Sequence, residues 1–266
     1  MTEAERKQII ALVQREVVPA IGCTEPIAVA LCVAKATETL GAKPEKIDVL
    51  LSANILKNAM GVGIPGTGMI GLPIAIALGA LIGKSEYQLE VLKDSNPAAV
   101  EEGKRFIGEK RIDISLKKNI AEKLYIEVCC KSGGNKATAI IADGHTTFIY
   151  IARNGDVLLN KQSAGCGEEE AQVAGLTLRK VYDFAMNAPL DEIRFILETA
   201  RLNKAAAERS FDGNYGHGLG RMLRGNYEHK ILGDSVFSHI LSYTSGACDA
   251  RMAGAMIPVM LSLIHI

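Results

Sequence analysis

Leu124-Tyr125-Ile126-Glu127-Val128-Cys129-Cys130-Lys131-Ser132-Gly133-Gly134-Asn135-Lys136-Ala137-Thr138-Ala139-Ile140-Ile141-Ala142 is the stretch that decides the fold class. Two apolar, partly β-branched runs flank Gly133-Gly134-Asn135, which reads as a hairpin turn. Residues 111–116 and 147–152 are similar runs on either side, and Asn154-Gly155 marks a further turn. The spacing predicts a small antiparallel sheet over 111–160. Cys129 and Cys130, adjacent in a strand, face opposite ways and serve packing rather than a shared metal.

Outward from this sheet the period becomes helical. Thr2-x-x-Glu5 is a capping box ahead of Ile9, Ile10, Leu12 and Val13 and predicts a helix to about Val17, followed by a loop over 19–23. Thr24 is placed to cap a second helix, with Glu25 and Pro26 in its first turn and Gly41 just past its end. Residues 46–52 read as a strand. The Gly-rich loop Gly61 to Gly71 opens a short helix over 72–81, and Asn96 caps one over 97–108. Downstream, helices are predicted over about 168–186, 189–212 and 230–257. The pattern is α+β, a predominantly helical domain with a small antiparallel β-sheet insert. Its parts are a helical region 1–110 with Cys23 and the Gly-rich loop, the insert 111–160, a second helical region 161–260 and a tail 261–266.

Composition narrows the function classes. Thirty basic residues balance thirty acidic ones over 266 residues, so there is no electrostatic case for nucleic acid or an anionic membrane. Residues 60–83 carry no charge, but their Gly and Pro content reads as a buried loop and short helix, not a membrane span. The first residues do not form a signal peptide. Six scattered Cys without a C-x-x-C point to reduced thiols and a cytoplasmic setting.

Several residues suit chemistry. Cys23 precedes a helix, where the dipole and free amides favour a thiolate, and Glu25 beside it can take or give a proton. A small buried turn residue is the alternative for Cys23. The amides of the Gly-rich loop can hold a carboxylate or phosphate, or the loop can serve close backbone packing. Asn54 and Asn58 can add amide hydrogen bonds. Arg251 in Cys248-Asp249-x-Arg251 can bind a substrate carboxylate or pair locally with Asp249. Cys166 reads as a loop thiol, His145 as a turn residue, and His217 as a base on a Gly-rich loop. Gly61-x-Gly63-x-x-Gly66 matches a dinucleotide fingerprint as text, but no strand leads directly into it. Gly83-Lys84-Ser85 lacks the spacing of a phosphate loop.

Four ordered segments carry a resemblance. They are Ile21-Gly22-Cys23-Thr24-Glu25-Pro26, Ser52-Ala53-Asn54-Ile55-Leu56-Lys57-Asn58, Gly61-Val62-Gly63-Ile64-Pro65-Gly66-Thr67-Gly68 and Ser245-Gly246-Ala247-Cys248-Asp249-Ala250-Arg251-Met252. Over about residues 1–260 the chain resembles the L-cysteine desulfidase group, related to the α domain of iron–sulfur L-serine dehydratases. The resemblance implies a lyase without pyridoxal phosphate that converts L-cysteine to sulfide, ammonia and pyruvate. It implies a 4Fe–4S cluster and makes Cys23 a functional cysteine, either a cluster ligand or a catalytic thiolate. Glu25 is the expected accompanying catalytic carboxylate. Thr24, Asn54, Asn58, Gly66, Thr67, Gly68 and Arg251 are the expected substrate contacts, and Cys248 is a second candidate ligand. An L-serine dehydratase-type ammonia-lyase and a nucleotide-binding module at Gly61 to Gly68 are the alternatives.

The resemblance stops near Met260. Leu261-Ser262-Leu263-Ile264-His265-Ile266 reads as an adapter-derived tail, so the chain is expected to be the N-terminal part of a longer enzyme lacking the remaining cluster cysteines. The piece is expected to be poorly soluble and inactive as written, with the apolar faces of 27–40 and 235–257 uncovered. The full-length enzyme is expected to act on L-cysteine or L-serine, with a homo-oligomer as a candidate assembly and neither nucleic acid nor membrane as a partner.

Overall fold

The computed structural model describes residues 1–161, 176–228 and 235–262. The chain is α+β. In order, its elements are α1 (Glu3–Glu16), β1 (Val17–Ile21), α2 (Thr24–Leu40), β2 (Lys46–Leu51), α3 (Ala53–Ala59), α4 (Leu72–Leu81), α5 (Pro97–Gly108), β3 (Ile112–Leu116), β4 (Tyr125–Ser132), β5 (Asn135–Ala142), β6 (Phe148–Arg153) and β7 (Asp156–Asn160). There follow α6 (Leu178–Asn187), α7 (Leu190–Ile193), α8 (Ile196–Asp212), α9 (Leu219–Glu228), α10 (Val236–Met252) and β8 (Pro258–Ser262). Among the described residues no helix is long and apolar enough to cross a membrane.

Local signals act where they were read. The Thr2 side chain accepts from the Glu5 amide, and Glu5 returns a bond to the Thr2 amide. Asn96 accepts from Ala99, and Gly41 closes α2 at φ +75°. Gly133 and Gly134 both take positive φ, as do Asn154 and Gly155, so each pair forms a tight turn matched to strand twist. Cys130 is buried toward α2, while Cys129 faces the other way and is half-buried.

The sheet is larger and less uniform than the sequence predicts. Its six strands run β3-β2-β4-β5-β6-β7. β2 enters between β3 and β4, antiparallel to β4 but parallel to β3. Two helices and the Gly-rich loop separate β2 from α5 and β3, a crossover long enough to return the chain in the same direction. α2 lies on the inner face formed by β4 and β5, and α4 packs on α2. One core runs through all of them, continuous across the boundary at residue 110, with Leu31, Ile47, Ile74 and Ile126 among its members.

This corrects the expectation that the 27–40 face is uncovered. Ile27, Val29, Leu31 and Val33 are almost wholly buried, because α2 sits between the sheet and α4. The C-terminal helices are different: Val236, Phe237 and Ile240 on α10 are 78%, 73% and 57% exposed. There the expectation of an uncovered face holds.

Other corrections concern long-range pairing. Residues 19–21, expected in a loop, belong to β1, because β8 pairs with it antiparallel from Val17↔Ser262 to Ile21↔Pro258. Leu261 and Ser262, assigned to the tail, thus extend β8. The helix predicted over 189–212 is broken between Ile193 and Ile196. The one predicted over 230–257 ends at Met252, where Gly254 takes φ +74° and turns the chain back toward β8. Helix α9 has no counterpart among the predicted helices. The helix expected from residue 168 is described only from Leu178; Cys166 lies outside the described residues.

Candidate functional site

Cys23, not Thr24, is the N-cap of α2, and its side chain makes no capping bond. Thr24 begins the helix, so its hydroxyl is free to donate to Glu25 Oε2 at 3.1 Å. Cys23 Sγ approaches the same oxygen at 3.5 Å. Asn58, near the end of α3, donates its Nδ2 to Glu25 Oε1 at 3.1 Å. The Glu25 carboxylate is therefore the hub of the cluster, held by three side chains from two helices.

Burial opposes ionisation of Glu25, but bonds from its own amide, Asn58, Thr24 and Cys23 outweigh that cost and lower its pKa. Cys23 behaves in the opposite sense. Burial raises its pKa, the Glu25 charge adds to this, and Arg251 pulls it down only in part, leaving it at about 11. The shift runs against the thiolate expected from the position of Cys23 before a helix. Burial and the neighbouring carboxylate oppose ionisation, while the helix dipole favours it.

The Gly-rich loop adjoins Cys23. Gly22, at φ +89°, lies against Pro65, and a Cβ there would fall 2.6 Å from Pro65 Cγ. The loop in turn holds the end of α10. The Gly63 amide donates to Met252 O at 2.9 Å and the Gly66 amide to Gly254 O at 3.1 Å. A Cβ on Gly63 would lie 2.6 Å from the Ala253 carbonyl carbon. Met252 Sδ reaches 4.0 Å from Cys23 Sγ. Close backbone packing is thus the observed role of Gly63 and Gly66, and their amides are not open to a ligand carboxylate. Thr67 stabilises the turn, donating its hydroxyl to Ile64 O at 2.8 Å and accepting from the Met69 amide at 2.9 Å. Gly68 follows at φ +64° with open space where a Cβ would be. The loop leaves helix α3 rather than a strand, so it lacks the context of a dinucleotide fingerprint.

Arg251 Nε is buried and makes no hydrogen bond among the described residues. Asp249 does not pair with it. Instead Asp249 accepts from the His217 amide at 3.2 Å and the Gly220 amide at 2.9 Å, capping α9. His217 is thereby fixed by its backbone. His145 is buried inside its turn rather than displayed on it. Arg251 and Cys248 both line a groove of about 740 Å³ between α8, α10 and β8. Asn54 stands apart from the cluster, lining a separate cavity of about 530 Å³ with Ser52, Lys117 and Lys123.

This arrangement joins both ends of the described chain at one carboxylate–thiol pair. The chain is similar to the UPF0597 proteins. It is 81% identical over 260 residues to one from Bacteroides fragilis, 76% identical over 260 to one from Bacteroides thetaiotaomicron and 49% identical over 267 to one from Porphyromonas gingivalis. Each comparison covers 98% of this chain and 61% of the UPF0597 protein. The chain therefore spans less than two thirds of the length of the curated relatives it matches. The shared name UPF0597 states no substrate. No family model matches the chain, and no solved structure does.

The 4Fe–4S cluster implied by the resemblance needs about three thiolates meeting at one point. Among the described residues no group of three His, Cys, Asp or Glu is placed to hold a metal. Cys32 and Cys130 are buried in the core, with Cys32 Sγ 3.3 Å from Ala139 O. The described residues do not by themselves make a cluster site. Sequence reasoning also missed Gly22, Pro65, Met252 and Gly254 as site-forming residues. The only local signal was glycine, which does not name its partner.

Proposed function

We propose that the chain carries the amino-acid site of a lyase acting on L-cysteine, without pyridoxal phosphate, in the cytoplasm. The observation that supports this most is the Cys23–Glu25–Asn58 cluster with Arg251 beside it. Glu25 is the group suited to accept the α proton of the substrate. Arg251, with a buried donor unpaired, suits its carboxylate. Loss of the α proton and of the β-thiol gives sulfide and aminoacrylate. The aminoacrylate tautomerises to an imine, and water hydrolyses it to pyruvate and ammonia. L-Serine would follow the same course with water as the leaving group. A 4Fe–4S cluster would need further thiolates, and these would come from the length that the UPF0597 relatives carry outside the match.

Anaerobic reconstitution of a full-length protein with iron and sulfide tests the reading. Pyruvate and sulfide formed from L-cysteine, and lost in Glu25→Gln, support it. Absence of pyruvate from both L-cysteine and L-serine in protein that has bound the cluster refutes it. Faster turnover of L-serine shifts the assignment to a dehydratase.

A further inference from the structure

We propose that the groove between α8 and α10 is the seat of the additional polypeptide that the longer UPF0597 relatives possess. This inference does not rest on the lyase reading. Apolar exposure is distributed unevenly along the chain. Among the described residues, six large apolar side chains are exposed over 1–161 and sixteen over 176–256. On α10, Val236, Phe237, Ile240 and Leu241 form a stripe at helical spacing, and Ile240 reaches the groove wall. On α8, Leu197 is 67% exposed one turn before Ala200, which also lines the groove. Exposed apolar side chains at helical spacing beside a groove mark an interaction face.

Two facts select the occupant. The relatives matched over 98% of this chain have 39% of their length outside the match. β8 also carries Val259 into the groove wall. Three residues later, at Ser262, the backbone is still within about 10 Å of that wall. Where the unmatched length of the relatives follows Ser262, it emerges at the rim of the groove. Residues 162–175 are a poor alternative, since Gly165, Gly167, Glu168, Glu169 and Glu170 leave them small and acidic rather than apolar. The occupant closes over Arg251 and Cys248, so the groove becomes an internal boundary of the longer protein.

The test joins residues 1–260 of this chain to the part of the Bacteroides fragilis relative that lies outside the match. Ile240→Cys is introduced into the joined protein and into the 266-residue chain. Labelling of that thiol by a maleimide is followed by peptide mass spectrometry. The expected result is labelling at least tenfold slower in the joined protein, with Leu158→Cys on β7 labelled equally in both. If Ile240→Cys impairs folding, Leu197→Cys on α8 serves as the probe. Equal labelling of the groove thiol in the two proteins overturns the proposal. So does a 266-residue chain of doubled mass in which the groove thiol is already protected, because a second copy would then be the occupant.

Discussion

The amide of Gly63 donates to the carbonyl of Met252 at 2.9 Å, joining the Gly-rich loop to the end of α10. Through this contact residues almost two hundred positions apart in sequence are held beside Cys23. It works because Gly63 has no side chain, so its backbone can lie against that of Ala253.

Gly63→Ala therefore meets backbone, not a flexible side chain. The added methyl would sit 2.6 Å from the Ala253 carbonyl carbon. We expect a loss of stability of about 1–3 kcal/mol, the usual cost of overpacking. A urea midpoint that falls without a change in slope checks it. Gly61→Ala, where no atom lies within 4 Å of the new methyl, should be nearly neutral.

Asp249→Ala removes the acceptor for the His217 and Gly220 amides at the start of α9. The expected cost is about 1–2 kcal/mol, that of a lost helix cap. Hydrogen exchange should quicken at Gly220 before it does in α2. Unaltered protection at Gly220 would remove Asp249 from this role.

The thiols set a pH dependence. Burial raises Cys130 from 9.0 to about 12, and burial with the Glu25 charge raises Cys23 to about 11. Protonated thiols are thus favoured in the folded state. Their contribution is fully present below pH 9 and is lost as pH rises toward 11 to 12. Chemical denaturation at a series of alkaline pH values should show that decline, and Cys130→Val should make it shallower.

Alkylation reports Cys23 separately. With a pKa of about 11, its reaction with iodoacetamide should rise about tenfold per pH unit from 7 to 9 without levelling. Glu25→Gln removes a neighbouring negative charge, so it should lower the thiol pKa and speed labelling at pH 8. A plateau near pH 8.5 in the unsubstituted protein would show an ordinary, water-exposed thiol.

Leu31 and Leu241 contrast the two ends of the molecule. Leu31 is fully buried in α2, and Leu31→Ala should cost about 2–5 kcal/mol. Leu241 is exposed on α10, and Leu241→Ser should change the stability of the 266-residue chain by less than about 0.5 kcal/mol.

Legibility followed the range of the interactions. The capping box at Thr2 and Glu5, the Asn96 cap, the Gly133-Gly134 and Asn154-Gly155 turns, and the opposed faces of Cys129 and Cys130 were readable because each depends on residues a few positions apart. The α+β class and the segments holding Cys23, Glu25 and Asn58 were readable for the same reason. Tertiary structure alone decided the rest. β1 exists because β8 pairs with it, and α9 starts where Asp249 caps it from another helix. The place of β2 within the sheet depends on a crossover of some sixty residues. Burial and the charge of Glu25 raise the pKa of the Cys23 thiol, although its position before a helix favours ionisation. Sequence carries the propensities of short segments. Burial and long-range pairing determine which of them prevail, and they arise only when the segments meet.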